Sequence, residues 1–498
     1  MNLRSSGILM HLTSLPGLFG IGDMGPQAYR FADFLAQTHQ RYWQILPLTP
    51  IDPDHNGSPY HSPSAFAGNP LLISPERLVQ DGLLDAADLA AVPELPADRV
   101  DFSAVNAFKE KLLERAYDRF KARGRDAEYE RFCRRHTGWL DDFVLFDTLK
   151  SYYGNVSWDQ WPVKIRDRDA KALLAVQSEL AEHLNLRRFV QYIFYSQWAD
   201  LRRYCGQKQV RIIGDMPIYL PYESADVWRH PQFFKLGKNK RPRRVSGVPP
   251  DYFSDTGQLW GHPVYNWDGL QKKDYAWWIQ RLEHQLGLFD VLRIDHFRGL
   301  VAYWEVSAAA KTAVNGKWMP VPVDDFFGKI AKHFAYLPII AEDLGTITAD
   351  VREVMCRYRL PGMRVLLFAF GEDFPDGSFL PHNHIRHCFV YTGTHDNNTV
   401  RGWFENEADK KAKKRWRSYI GRNVSAANIS WEMIRLAMMS VADTVIIPMQ
   451  DLLGLGADAR MNDPSTTKGN WHWRLENDAI TKPLTRRLRN MTETYGRS

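Results

Sequence analysis

Eight short apolar runs, each passing into polar or glycine-bearing residues, recur along the chain. They cover residues 7–17, 42–48, 210–217, 291–299, 339–345, 363–370, 389–398 and 444–451. Short apolar runs bounded by turn residues fit strands buried on both faces. Several are separated by helix-periodic segments. Residues 27–39 place Ala28, Phe31, Phe34 and Leu35 on one face, and 184–205, 277–286 and 425–438 read the same way. Strand–helix alternation with right-handed crossovers defines an α/β architecture. Eight candidate strands favour a closed (β/α)8 TIM barrel over an open sheet.

The spacing is uneven. Residues 49–209, between the second and third runs, far exceed an ordinary βα connection. Helical patterns at 81–91, 108–134 and 139–152 place a mainly helical inserted subdomain over 71–205. A second insertion, 221–267, is rich in proline, glycine and aromatic residues. Insertions after barrel strands overhang the active face, so one catalytic barrel spanning 1–498 is expected to carry both.

Three acids lie where runs end: Asp295 in Arg293-Ile294-Asp295-His296, Glu342 in Ile339-Ile340-Ala341-Glu342-Asp343, and Asp396 in Gly393-Thr394-His395-Asp396. Side chains at the C-terminal ends of barrel strands converge on one mouth, and converging carboxylates are what splitting a glycosidic bond requires. Arg293 precedes Asp295 by two and shares its face in a strand, which keeps a nucleophilic carboxylate ionised; a structural ion pair is the alternative. A general acid needs its pKa raised by burial or by a neighbouring carboxylate, the role favoured for Glu342. The bland alternative makes Glu342 a buried ion-pair partner and Asp343 a cap for the next segment. Asp215 is a fourth strand-end acid, with a turn or N-cap role also open. His395 and Asp396 lack metal-ligand spacing, so hydrogen bonds to sugar hydroxyls are favoured and no metal is expected.

Composition narrows the rest. Hydrophobic residues make up 44% and charged residues 24%, ordinary for a soluble globular chain. No apolar run approaches the roughly 20 residues of a membrane span, and the first residues lack a secretion signal's apolar stretch. Four cysteines without a Cys-x-x-Cys pair read as reduced thiols, which points to the cytoplasm. The basic run 235–244, with Lys238, Lys240, Arg241 and Arg243, can contact phosphates, but Gly237 and Pro242 favour a solvated loop; no nucleic-acid or membrane partner is expected. Trp260, Tyr265 and Trp267, beside Tyr252 and Phe253, suit stacking on sugar rings, although large cores also consume aromatics. Phosphate-loop and nucleophile-elbow motifs are absent from the sequence.

Ordered motifs nearly throughout the chain resemble those of the 4-α-glucanotransferases, the amylomaltase or disproportionating-enzyme family (glycoside hydrolase family 77). They include Ser58-Pro59-Tyr60, Ser64-Ala65-Phe66-Ala67-Gly68-Asn69-Pro70, Gly214-Asp215-Met216-Pro217-Ile218-Tyr219, Gly257-Gln258-Leu259-Trp260-Gly261, Arg293-Ile294-Asp295-His296 and Asn462-Asp463-Pro464. The resemblance implies Asp295 as nucleophile, Glu342 as general acid/base and Asp396 as transition-state stabiliser. It implies Arg293, Asp215 and His395 as contacts at the cleavage point, Ser58, Tyr60 and Trp260 at neighbouring glucose units, and Asn462 near the donor side. It implies a loop over 248–257 covering the cleft. The expected substrates are α-1,4-glucans and maltooligosaccharides, handled by a monomer or homodimer without metal or organic cofactor. An α-glucan hydrolase on the same scaffold and a non-catalytic glucan-binding protein are the alternatives. Residues 52–57, Asp-Pro-Asp-His-Asn-Gly, do not match an aromatic secondary glucan contact found in some members.

Overall fold

The computed structural model describes residues 4–52, 57–124, 126–250 and 254–498. Tyr252, Phe253 and residues 53–56 lie outside the described residues. Eight parallel strands form one sheet: β1 Ser5–Leu9, β2 Tyr42–Gln44, β3 Arg211–Met216, β4 Val291–Ile294, β5 Ile339–Ala341, β6 Gly362–Val365, β7 Cys388–Tyr391 and β8 Thr444–Pro448. Their order is β6-β7-β8-β1-β2-β3-β4-β5. All eight come from the apolar runs, because strands covered on both faces need near-continuous apolar sequence. Ile8, Ile213, Leu292, Ile340, Val390 and Ile446 are accordingly fully buried. Truncating any of the leucine or isoleucine residues among them to alanine is expected to cost about 2–5 kcal/mol.

The ends of the sheet meet without a regular ladder between β5 and β6. The Ala341 amide donates to the Pro361 carbonyl (2.9 Å), and Asp343 accepts from the Met363 amide (2.6 Å) and the Arg364 guanidinium (3.0 Å). Asp343 therefore bonds across the seam instead of capping the following segment. Gly362 permits the approach, since a Cβ there would lie 2.4 Å from Asp343 Oδ2.

Several elements are shorter than the sequence pattern suggests. The run 363–370 leaves the sheet after Val365 and turns through a 3-10 segment, Leu366–Phe368; Leu366 and Leu367 stay buried, so apolar content is satisfied without a ladder. The pattern at 81–91 yields only a 3-10 turn, Ala86–Leu89, because Gly82 takes a left-handed φ of 66° after the helix Pro75–Gln80. The pattern at 108–134 is two helices, Phe102–Ala122 and Ala127–His136. Gly124 ends the first at φ 85°, and Asp126 caps the second by accepting from the amides of Glu128 and Tyr129.

Between β2 and β3 the chain is helical, and a long helix, Ala181–Gln207, lies against the barrel. Its buried Gln191 pairs with both backbone groups of Gly68, at 2.8 and 2.9 Å. The Lys109 ammonium, itself buried, donates to Asp23 and to the carbonyls of Leu71 and Ile73, tying helix Phe102–Ala122 to the barrel loops. Above the mouth, strands Gln258–Pro263, Arg244–Val248, Ala302–Ser307 and Gly316–Pro320 form an antiparallel sheet in that order. The first two follow β3; the last two are a hairpin after β4 that sequence reading did not single out.

The basic run is a surface loop turned by a Gly237 amide to Arg241 carbonyl bond (2.8 Å), with Lys235 paired to Glu305 and Arg241 to Asp159. Tyr265 and Trp267 are core residues, 1% and 6% exposed, so they are no platform for sugar. Packing against Trp278 and Phe326 claims them. Among the described residues no helix is long and apolar enough to cross a membrane.

Candidate active site

The site is assembled at the C-terminal mouth of the barrel. Asp215 lies in β3 opposite Arg293 of β4. Arg293 presents Nη1 to both oxygens of Asp215 (2.8 and 2.6 Å) and Nη2 to Asp295 Oδ1 (2.8 Å). Burial works against the Arg293 cation, but Asp215 and Asp295 outweigh it and hold its pKa well above the usual arginine value. The two aspartates differ in access: the Asp215 side chain is closed to solvent, whereas that of Asp295 is 28% exposed. The first can neutralise and orient; the second can meet a substrate.

Glu342 is the first residue after β5, and among the described residues its hydrogen-bond donors are backbone amides. Its Oε2 accepts from the His296 amide (2.8 Å) and its Oε1 from the Leu344 amide (2.7 Å). His296 directly follows Asp295, so the bond sets Glu342 beside the Asp295 segment. The turn needs a left-handed φ of 52° at His296, uncommon for a side chain with a Cβ. Burial pushes the Glu342 carboxyl up to about 8, with Arg293 pulling down and Asp295 pushing up. Glu342 thus keeps its proton at neutral pH.

Asp396 sits farther out, in the loop between β7 and helix Val400–Asn406. Its Oδ1 accepts from Asn462 Nδ2 (2.6 Å), and Oδ2 lies 3.3 Å from His395 Nε2. Arg460 donates to its carbonyl (2.8 Å). Burial opposes ionisation of Asp396, but His395 and the Asn462 amide outweigh it and hold the carboxyl well below the usual range. Burial likewise opposes a charged His395, and Asp396 raises it.

Tyr60 joins the two halves. Its hydroxyl donates to Asp215 Oδ2 (2.8 Å), so its oxygen accepts from His395 Nε2 at 2.8 Å. The Tyr60 and His395 rings stack at 5.3 Å, and Trp471 packs on both. Trp260, on the antiparallel sheet, meets the His296 ring edge-on at 4.7 Å. Ser58 stays within its own turn, accepting from the Tyr60 amide (3.3 Å).

The structure therefore brings Asp295, Glu342, Asp396, Tyr60, Asp215, Arg293, His395 and Asn462 into one neighbourhood, with Trp260 at its edge and Ser58 behind Tyr60. Sequence reading missed Trp471, Arg460 and the structural use of His296. His296 had a signal in its place after Asp295. Trp471 had none, because its φ of 69° and its contacts arise from tertiary packing.

A parallel eight-stranded barrel with carboxylates of opposed acidity around a shared guanidinium, flanked by aromatic rings, defines a carbohydrate-active β/α-barrel enzyme. The model of the 4-alpha-glucanotransferase family matches residues 10–481. The chain is 43% identical over 495 residues to a 4-alpha-glucanotransferase of Aquifex aeolicus, covering 99% of this chain and 100% of that one. It is 42% identical to the chloroplastic/amyloplastic 4-alpha-glucanotransferase of Solanum tuberosum, covering 99% of this chain and 86% of the relative. An amylomaltase from Streptococcus agalactiae, solved in complex with acarbose, superposes with a TM-score of 0.96 at 38% identity, covering 99% of this chain and 100% of that one. The chain belongs to the 4-α-glucanotransferase family, hexosyl-transferring enzymes also called amylomaltases or disproportionating enzymes.

Proposed function

We propose that the mouth carries out retaining transfer of α-1,4-glucan segments with Asp295 as nucleophile, Glu342 as general acid/base and Asp396 as transition-state stabiliser. Glu342, protonated at neutral pH, gives its proton to the departing glycosidic oxygen as Asp295 attacks the anomeric carbon. The C1–O4 bond breaks, a C1–Oδ bond forms, and the shortened chain leaves with a new 4-hydroxyl. Glu342, now a carboxylate, takes the proton from the 4-hydroxyl of an acceptor, whose oxygen displaces Asp295 at C1. The double displacement requires the two carboxyl groups about 5–5.5 Å apart.

The observation that carries this reading is the split in acidity. Glu342 has its carboxyl raised to about 8, while Asp396, at the same mouth, is held well below the usual range. Two carboxylates pushed apart by their surroundings mark an acid and an anion. Asp396 is suited to grip ring hydroxyls more tightly as oxocarbenium charge develops. In this reading Arg293 and Asp215 form the charged floor, His395 and Tyr60 contact the sugar at the cleavage point, and Asn462 orients Asp396. Trp260 and the turn at Ser58 border neighbouring glucose units. The helical segment 71–205 and the region 221–267 shape the rim.

Its substrates are α-1,4-glucans and maltooligosaccharides, and its compartment is the cytoplasm, which the unpaired, buried Cys205 and Cys388 support. Incubation with maltotriose tests the reading: transfer gives glucose plus longer oligosaccharides, and products exclusively shorter than maltotriose would overturn it in favour of hydrolysis.

A further inference from the structure

We propose that Asp451 is a positioning residue that sets Asp396 for transition-state stabilisation by stapling both ends of its loop. Asp451 lies on the short helix Met449–Leu453 that follows β8, and it is 1% exposed. Its Oδ2 accepts from Thr392 Oγ1 (2.6 Å) and its Oδ1 from the Val400 amide (2.7 Å). Thr392 is the first residue after β7, and Val400 opens the next helix. The segment between them, His395 and Asp396 included, is thus anchored at both ends by one carboxylate.

The inference rests on the proposed role of Asp396. A loop residue without a ladder needs other ties to hold a catalytic carboxylate within about 0.5 Å of its working place. Inside the loop, Asn397 Oδ1 accepts from the Thr394 amide and hydroxyl, both at 2.9 Å. From outside, Arg460 and Asn462 hold the carbonyl and carboxylate of Asp396. These ties fix the shape of the loop and the rotamer of Asp396. Asp451 couples both loop ends to the element following β8, the same stretch of chain that delivers Arg460 and Asn462. Removing it leaves two buried donors without acceptors and frees the loop to shift as a unit. The substitution Asp451→Asn is gentler: the side-chain oxygen it retains can accept from Val400 while the new amide donates to Thr392 Oγ1.

The test is a double-mutant cycle in the full-length enzyme, using maltotriose and an activated maltosyl fluoride donor. Asp451→Ala is expected to lower kcat about 10- to 100-fold with KM changed less than about threefold, and Asp451→Asn to recover most of it. In an Asp396→Asn background, Asp451→Ala should cost less than about threefold more, because the residue acts through Asp396. Thr392→Val removes one tie with little change of volume; it should lower kcat by about 3- to 10-fold, again non-additively with Asp396→Asn, and carries the test if Asp451→Ala does not fold. Equal losses in both backgrounds, or normal turnover in folded Asp451→Ala or Thr392→Val, would overturn the proposal. Normal turnover in Asp396→Asn alone would overturn it together with the assignment of Asp396, whereas an impaired Asp396→Asn with an additive cycle would overturn only the role of Asp451.

Discussion

Glu342 and Asp396 face the same mouth but are built by opposite means. Glu342 is one residue past a strand, and two backbone amides hold it. Asp396 is in a loop, and its carboxylate is held by side chains, Asn462 and His395. In the first arrangement, burial raises the carboxyl and keeps it protonated even though both amide donors pull the other way. The second surrounds it with a raised histidine and an amide and keeps it ionised. A strand end delivers a rigid site with little adjustable chemistry, whereas a loop delivers adjustable chemistry and must obtain its rigidity from side chains elsewhere.

The comparison can be broken at several points. The largest effect is expected at the strand ends: Glu342→Gln or Asp295→Asn should lower maltotriose disproportionation by about 10³-fold or more with melting temperature nearly unchanged. A folded variant with near-wild-type turnover would remove that residue from the chemistry. Next comes the loop side. Asn462→Ala removes a bond to a charged group worth about 1.5–3 kcal/mol, so kcat/KM should fall about 10- to 100-fold. A smaller loss would mean that His395 alone sustains Asp396. A pH profile then separates the two carboxylates. Because the folded-state pKa of Glu342 is raised to about 8, the acid form is present below that value and is lost as pH rises through it. kcat/KM should therefore decline above about 8, and a decline beginning near the ordinary glutamate value would contradict the assignment. The smallest effect concerns Trp260. Its replacement by alanine should leave total bond cleavage within a few-fold while raising the share of reducing ends released by water, and an unchanged share would place the shielding elsewhere.

The same contrast explains what could be read from sequence. Strand-end acids are legible because an apolar run stops and a carboxylate follows; Asp295 and Glu342 stand one position beyond their ladders. The eight strands were legible for the same reason, through burial on both faces. Asp396 was legible by its run and by the Gly-Thr-His-Asp motif, but its ties to Asn462 and Arg460 were not, since they join segments distant in sequence. Helix boundaries at 81–91 and 108–134 were misjudged where glycines took left-handed backbone at Gly82 and Gly124. Tyr265 and Trp267 looked like sugar platforms because composition cannot distinguish an aromatic that faces a cleft from one packed under it. The hairpin over 302–320 went unread because its strands alternate too weakly to stand out beside the barrel runs.

The join between β5 and β6 has a bearing on Glu342. Elsewhere around the barrel, neighbouring strands are laced by repeated main-chain bonds, but here the hoop is fastened by the Ala341–Pro361 bond and by the carboxylate of Asp343. That fastening sits directly beside Glu342. A change at this least-laced joint therefore bears first on the chain segment that carries Glu342, whose Oε2 is in turn bonded to the His296 amide beside Asp295.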